Sequence, residues 1–227
     1  MHVRDLMDFL AQLAQNNNRA WFVMNKPRYD ILRAEFLQVV TDLVAQVSRF
    51  DPALAACDPK KAIFRINRDV RFSADKSPYK TTFSAALSAS DRKKPSEGGG
   101  PVYYFHIDQD GQLLFACGEY MPPPPRVQKV RQAIVADAEN FGKMLKNRAQ
   151  RAEFGDLQRE HELQRLPKGF AADSPHPDYL RLKDFMIWKQ GPVPAEIVNG
   201  AQLVEFLAAR FAKGLPLMQW LRSVPLA

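Results

Sequence analysis

The stretch Val102-Tyr103-Tyr104-Phe105-His106-Ile107-Asp108-Gln109-Asp110-Gly111-Gln112-Leu113-Leu114-Phe115-Ala116-Cys117-Gly118-Glu119-Tyr120 reads as two strands around a tight turn. Apolar side chains recur at every second position, the period of a pleated strand. A three-residue loop, Gln109-Asp110-Gly111, puts glycine where a bulged hairpin turn needs positive φ. That register sets Ile107 against Leu113, Phe105 against Phe115 and Tyr103 against Cys117, all core-like pairs. The other face carries Tyr104, His106 and Asp108 beside Leu114, Ala116 and Gly118. Small residues across from large polar ones leave room above the sheet. A hairpin at the centre predicts an antiparallel sheet.

The alternation extends upstream. Tyr79, Thr81, Phe83, Ala85 and Leu87 share one side of a strand over residues 79–88, with Lys80, Thr82, Ser84 and Ser88 on the other. Before it, Ala62, Phe64, Ile66, Val70 and Phe72 alternate with Arg65, Asn67, Asp69 and Arg71. Arg68 interrupts the apolar side, so a bulge or strand end is expected there. Asp91 to Gly100 reads as a loop between strands. Pro122 to Pro125 ends the sheet, because proline donates no ladder hydrogen bond.

Helical spacing flanks this block. Leu6, Phe9, Leu10 and Leu13 keep the i, i+3, i+4, i+7 pattern. Asn16-Asn17-Asn18 is expected to close that helix in the left-handed conformation. A second helix is predicted over residues 27–48, with Asn25 before it and Pro27 in its first turn. Trp21 and Phe22 are packing anchors between the two. After the prolines, a helix begins at Val127, and residues 137–165 are helical in composition. Tyr179 to Met186 suggests a short helix and Ile187-Trp188 a strand end. Ala201 to Ala212 is amphipathic, Gly214 caps it, and Leu215 to Leu221 forms a last short helix.

The pattern predicts an α+β fold: a central antiparallel sheet of about four or more strands between N-terminal and C-terminal helices. One domain over residues 1–227 is expected, with helices over 1–50, sheet over 60–121 and a helical region over 122–227. The chain has 227 residues, 46% of them hydrophobic, enough for one large core. Two cysteines, Cys57 and Cys117, are too few for a disulfide scaffold and suit buried, reduced thiols. Acids interrupt Met1-His2-Val3-Arg4-Asp5 early, and no apolar run is long enough to span a bilayer. A cytoplasmic protein without membrane contact is the expectation. A net charge of +7 favours anionic partners.

The charge is concentrated in Arg65 to Thr81. Five cations, Arg65, Arg68, Arg71, Lys76 and Lys80, sit there with only two carboxylates, Asp69 and Asp75. Guanidinium forks match phosphate or carboxylate, and lysine adds a point charge. The predicted ligand-binding residues are Arg65, Asn67, Arg68, Arg71, Ser73, Asp75, Lys76, Tyr79, Lys80 and Tyr104. His106 is a candidate acid or base, having a pKa near neutrality. Asp69 is a candidate base, or an orienting partner of Arg65 or Arg71 with its own pKa lowered. No metal or cofactor is expected, because His2, His106, His161 and His176 lack metal-ligand spacing. No glycine-rich phosphate loop or nucleophile elbow is present.

Phe64-Arg65-Ile66-Asn67-Arg68-Asp69-Val70-Arg71-Phe72-Ser73, followed by Asp75-Lys76-Ser77-Pro78-Tyr79-Lys80-Thr81, resembles the hallmark of domain-of-unknown-function family 2461. Asn16-Asn17-Asn18-Arg19 with Trp21-Phe22, Tyr104-Phe105-His106-Ile107, Tyr120-Met121-Pro122 and Pro167-Lys168-Gly169-Phe170 resemble its other signatures. The resemblance implies one uninterrupted domain and no established activity. The chain departs from the family at Asn67, where an aromatic residue is common, and at Pro123 and Pro124, where an acid is common. Three functions follow as expectations: a binder of a small anionic ligand on the polar sheet face, which an acid–base residue would make an enzyme; a nucleic-acid-binding accessory protein, with cations on phosphates and Tyr104 or Tyr120 on bases; and a protein–protein module.

Overall fold

Two amphipathic helices open the chain in a computed structural model that describes residues 1–71, 74–90, 99–198 and 202–226. Helix α1 (Val3–Gln15) buries Val3, Leu6, Phe9, Leu10 and Leu13. Helix α2 (Arg19–Val47) buries Leu32, Phe36, Val39, Val40, Leu43 and Val47, the stripe expected from sequence. It starts eight residues before the expected Pro27. Asn18, not Asn25, caps it, its side chain accepting from the Trp21 N–H at 3.0 Å. Pro27 therefore lies inside the helix. Its missing N–H would have met the carbonyl of Val23, which is 60% exposed, so water can take that oxygen. Asn16 ends α1 at φ −129°, outside the expected left-handed region.

A short 3₁₀ helix (Pro52–Ala56) and α3 (Pro59–Ala62) lead to the sheet. Its strands are β1 (Thr82–Ser88), β2 (Val102–Asp108), β3 (Gln112–Glu119) and β4 (Phe185–Pro192), in the order β1-β2-β3-β4. The strands are antiparallel and the fold is α+β. Tyr103, Phe105, Ile107, Leu113, Phe115 and Cys117 are all buried, as the hairpin pattern requires. Gly111 has φ +67°, the turn conformation expected of it. Asp108 closes the turn by accepting from the N–H groups of Asp110 and Gln112 at 2.9 and 2.8 Å.

Five expectations are corrected by the strands. Residues 62–72 form no strand among the described residues; they touch the sheet edge by isolated bridges, Ile63 to Ala85 and Asn67 to Tyr79. Between those bridges one side advances four residues and the other six, so the irregularity lies opposite Arg65, in Lys80 to Ser84, rather than at Arg68. The expected strand over 79–88 accordingly begins only at Thr82. Strand β4 lies outside the block expected to hold the sheet. Lys189, Gln190 and Gly191 interrupt its apolar run, and only Phe185, Met186 and Ile187 are buried. The room expected above Gly118 is filled, since a Cβ there would lie 2.1 Å from the Phe185 carbonyl oxygen.

The later helices are α4 (Pro124–Ala136), α5 (Ala138–Leu145), α6 (Arg148–Phe154), α7 (Ala195–Val198) and α8 (Leu203–Ser223). Helix stops at Phe154, with Gly155 at φ +78°, rather than running on to residue 165. Only Tyr179–Arg181 is helical, as one 3₁₀ turn, in the expected Tyr179–Met186 helix. The two expected C-terminal helices are one. A Cβ at Gly214 would lie 2.4 Å from Cys117 Sγ, so this glycine permits close packing and does not end the helix. Pro216 interrupts the hydrogen-bond ladder, and the Leu217 N–H donates instead to Gln150 Oε1 at 3.2 Å.

Contacts group the chain into two compact units. Met1–Leu87, Tyr104–Phe115 and Gln190–Ala208 form the first; Ser88–Tyr103, Ala116–Lys189 and Ala209–Ala227 form the second. In the first, Phe36 packs edge-on against Phe83 at 5.4 Å and lies 5.4 Å from Phe105. In the second, Phe141 lies 4.7 Å from Trp220 and Tyr103 lies 5.0 Å from Phe211. No helix among the described residues is long and apolar enough to cross a membrane.

Candidate functional site

The charged stretch lies wholly in the first unit, and one of three consecutive asparagines helps to fix it. Asn16 Nδ2 donates to the Gln12 carbonyl at 3.0 Å, and Asn18 caps α2. Asn17 reaches across 62 residues: its Nδ2 donates to the Tyr79 carbonyl at 2.9 Å and its Oδ1 accepts the Tyr79 N–H at 3.1 Å. The Tyr79 ring stacks on Phe22 at 4.0 Å and is 7% exposed. Tyr79 is therefore packed into the core as the anchor of the segment. Asn17 was expected only to help close α1. Its signal is an asparagine in a helix–helix turn, which can pair with an extended backbone through both amide groups.

From this anchor the segment doubles back. The Lys80 N–H donates to the Ile66 carbonyl at 2.7 Å and the Arg68 N–H to the Pro78 carbonyl at 2.9 Å. The reversal brings Arg68 to Asp75, and its Nη1 also donates to Ser77 Oγ at 2.9 Å. Arg71 grips Asp69 with both arms of its fork, Nε to Oδ1 at 2.9 Å and Nη2 to Oδ2 at 2.7 Å. Those bonds hold the Asp69 carboxyl down at about 2. The Ser77 amide, its hydroxyl and Arg68 likewise lower Asp75. Lys76 Nζ donates to the Val70 carbonyl at 2.9 Å. Asn67 is exposed and contributes backbone pairing with Tyr79. Arg65 is exposed and makes no hydrogen bond or ion pair among the described residues. Ser73 lies outside the described residues.

Beneath this layer is a second group. The Lys80 ammonium sits 5.3 Å from the Phe64 ring centre, and Phe64 meets the Tyr104 ring edge-on at 6.2 Å. Tyr104 Oη lies 3.1 Å from His106 Nδ1. Burial raises the Tyr104 pKa, and a hydrogen bond from Ser84 partly offsets that rise. Burial lowers the His106 pKa, while Asp108 opposes the shift weakly. Burial thus favours the neutral imidazole, whose Nδ1 shares a hydrogen bond with the Tyr104 hydroxyl. Ser84, Tyr104 and His106 form a short chain of proton-carrying groups. Phe64 stands between it and Lys80, so the residues expected to form one patch fall into an exposed ionic layer and a half-buried hydroxyl–imidazole layer.

The second unit holds charged groups that lie outside the residues expected from sequence. Glu153 is surrounded by Lys189, Arg210 and Lys213. His161 pairs with Asp184. Arg126 and Glu119 form an ion pair in which the side chains are 0% and 2% exposed. These partners are separated by 7 to 60 residues of chain, so no local pattern marks them. Among the described residues, no group of three or more His, Cys, Asp and Glu side chains could hold a metal ion.

No curated protein and no solved structure matches the chain. A family model described as Conserved hypothetical protein (DUF2461) matches residues 5–220, which include both layers of the candidate site and nearly all of the fold. The chain belongs to that family of conserved hypothetical proteins, DUF2461.

Proposed function

We propose that the 65–80 segment binds a phosphate or carboxylate group of a small ligand. One observation carries this reading: Arg65 is exposed, without an ion pair among the described residues, in a segment whose two acids are engaged by Arg68 and Arg71. The segment's sequence carries five cations against two carboxylates, so an anion arriving at Arg65 meets a net positive segment. No carboxylate lies at ion-pair distance from Arg65 among the described residues, although its charge helps to lower Asp69. Arg68, through Asp75 and Ser77, holds the backbone that presents Arg65.

Any proton transfer is assigned to His106 with Tyr104. Asp69 suits it poorly, because a carboxyl at about 2 holds a proton too weakly to act as a base near neutrality. A second reading, contact with a nucleic-acid backbone, is favoured by the exposure of Arg65, Arg71 and Lys76 on one segment.

A thermal-shift panel of inorganic phosphate, phosphorylated sugars and dicarboxylates tests the first reading, since a ligand that binds only the folded chain raises its melting temperature. Stabilisation of the unaltered protein, lost in Arg65→Ala, is expected. An equal response in Arg65→Ala, or no stabiliser in the panel, overturns it. A single-stranded oligonucleotide titrated over a salt series tests the second: affinity must fall steeply with salt.

A further inference from the structure

The second unit contains a pair whose arrangement goes beyond that anion-binding reading. After α6 the chain runs irregularly past His161 and is braced against the segment before β4. The Leu163 N–H donates to the Arg181 carbonyl at 2.9 Å and the Lys183 N–H to the His161 carbonyl at 3.0 Å. Glu162 bridges to Leu182 between them. This bracing sets the Asp184 carboxylate against His161 Nδ1. Asp184 is 5% exposed, whereas the His161 side chain is 36% exposed.

Both carboxylate oxygens of Asp184 are engaged. Oδ2 holds the imidazole, and Oδ1 accepts the Met121 N–H at 2.6 Å. Met121 has φ +46°, one of two non-glycine residues in the left-handed region among the described residues. Such a conformation persists only where its surroundings enforce it. The Tyr120 ring lies edge-on to the imidazole at 5.6 Å, the Met121 amide is held by the same carboxylate, and both side chains are exposed.

We propose that His161, oriented by Asp184 beside Tyr120 and Met121, is a general base that hydrolyses acyl esters carrying an apolar group. Donation of the Nδ1 proton to Asp184 leaves the lone pair on Nε2, which makes no hydrogen bond among the described residues. A tie that only closed the loop would use the carboxylate in the same way. It would not require an imidazole left 36% exposed beside an exposed aromatic ring. In the proposed step Nε2 takes a proton from water as the water oxygen bonds to the ester carbonyl carbon. The imidazolium then returns that proton to the departing oxygen as the carbon–oxygen bond breaks. Acid and alcohol result, and nothing is oxidised or reduced. Tyr120 and Met121 pack against the apolar part of the ester. Asp184 is a positioning residue.

The test is release of p-nitrophenolate from p-nitrophenyl butyrate by the full chain, compared with His161→Gln, Asp184→Asn and His2→Gln. His2 is an exposed histidine paired with Glu35 and controls for adventitious imidazole chemistry. The unaltered chain and His2→Gln are expected to agree, and His161→Gln to be slower by at least about tenfold. Asp184→Asn, which keeps an oxygen for the Met121 amide, is expected to lose as much although His161 remains. Equal rates for the unaltered chain and a folded His161→Gln overturn the proposal. Should Asp184→Asn fail to fold, the nitrogen-15 shifts of His161 in the unaltered chain decide its role. A proton on Nδ1 at neutral pH supports the dyad, and a proton on Nε2 overturns it.

Discussion

Arginine–carboxylate pairs occur in both units, in opposite environments. Arg71 and Asp69 lie on the surface of the first, with side chains 76% and 45% exposed. Arg126 and Glu119 lie buried in the second, and Arg126 is the largest fully buried side chain. A surface pair exchanges water for a partner at nearly equal free energy. A buried pair has given up its water altogether, so each charge depends on the other and on nearby carbonyls. Arg126 has such carbonyls: it donates to Leu221 and Val224 at 2.7 Å each and to Pro225 at 3.0 Å. These include acceptors at the end of α8, where the helix leaves carbonyls unpaired. The buried pair fixes the architecture of its unit. The exposed pair keeps both its groups in contact with water.

The largest predicted effect breaks the buried side of this contrast. Arg126→Ala strands Glu119 and three carbonyls, and is expected to cost about 3–5 kcal/mol. For a chain of this size that is a fall of about 6–20 °C in melting temperature, read by circular dichroism or calorimetry. A loss no larger than that of a surface variant would erase the distinction.

Asn17→Ala comes next. It removes two hydrogen bonds that hold the Tyr79 backbone, and about 1–3 kcal/mol of stability is expected to go with them. Hydrogen exchange at residues 78–80 should rise more than in the second unit. Uniform acceleration would show that Asn17 supports the whole fold rather than the segment.

His106 gives a smaller, pH-dependent effect. Its folded pKa lies below the unfolded value near 6.5, because burial disfavours the cation. The stability it contributes is full above that value and is lost as the pH falls through it toward the folded pKa. Proton NMR should show His106 titrating below 6.5, and melting temperatures of His106→Gln should fall less between pH 7 and 5 than those of the unaltered chain. A midpoint above 6.5 would contradict the burial.

The smallest effect belongs to the exposed pair. Arg71→Ala should leave the melting temperature unchanged within error while moving the Asp69 midpoint from about 2 back toward 3.8. Asp69 favours folding above 3.8 and loses that contribution as the pH falls through about 2. Carbon-13 detection of the carboxyl carbon reads the shift directly. A large thermal loss would mean that the surface pair carries structure after all.

The hairpin was legible in the sequence because its information is local: a period of two on each side of a glycine turn fixes the register of residues 102–119. The helical stripes of α1 and α2 were legible for the same reason. The start of α2 was misread because Asn25-Lys26-Pro27 imitates a helix opening, while the cap that forms sits seven residues earlier at Asn18. Gly214 and Pro216 imitate a helix end, but close approach to Cys117 and the help of Gln150 carry the helix through them. Both cases depend on partners far away in the chain. The candidate site divides in the same manner. The concentration of charge in residues 65–80 is visible on inspection. Which arginine finds which acid, and that Tyr79 is an anchor, depends on how the segment folds back and on Asn17.

The mismatch of four residues against six along the border of β1 has a further consequence. A foreign extended peptide adds to a sheet by meeting an evenly spaced row of backbone donors and acceptors. Here residues 63–68 cover that row unevenly, using the Phe64, Lys80 and Arg68 amides while shifting the phase between them. Over Ser84 and Ala85 an incoming strand would therefore find the row already taken, and below them no constant repeat to copy.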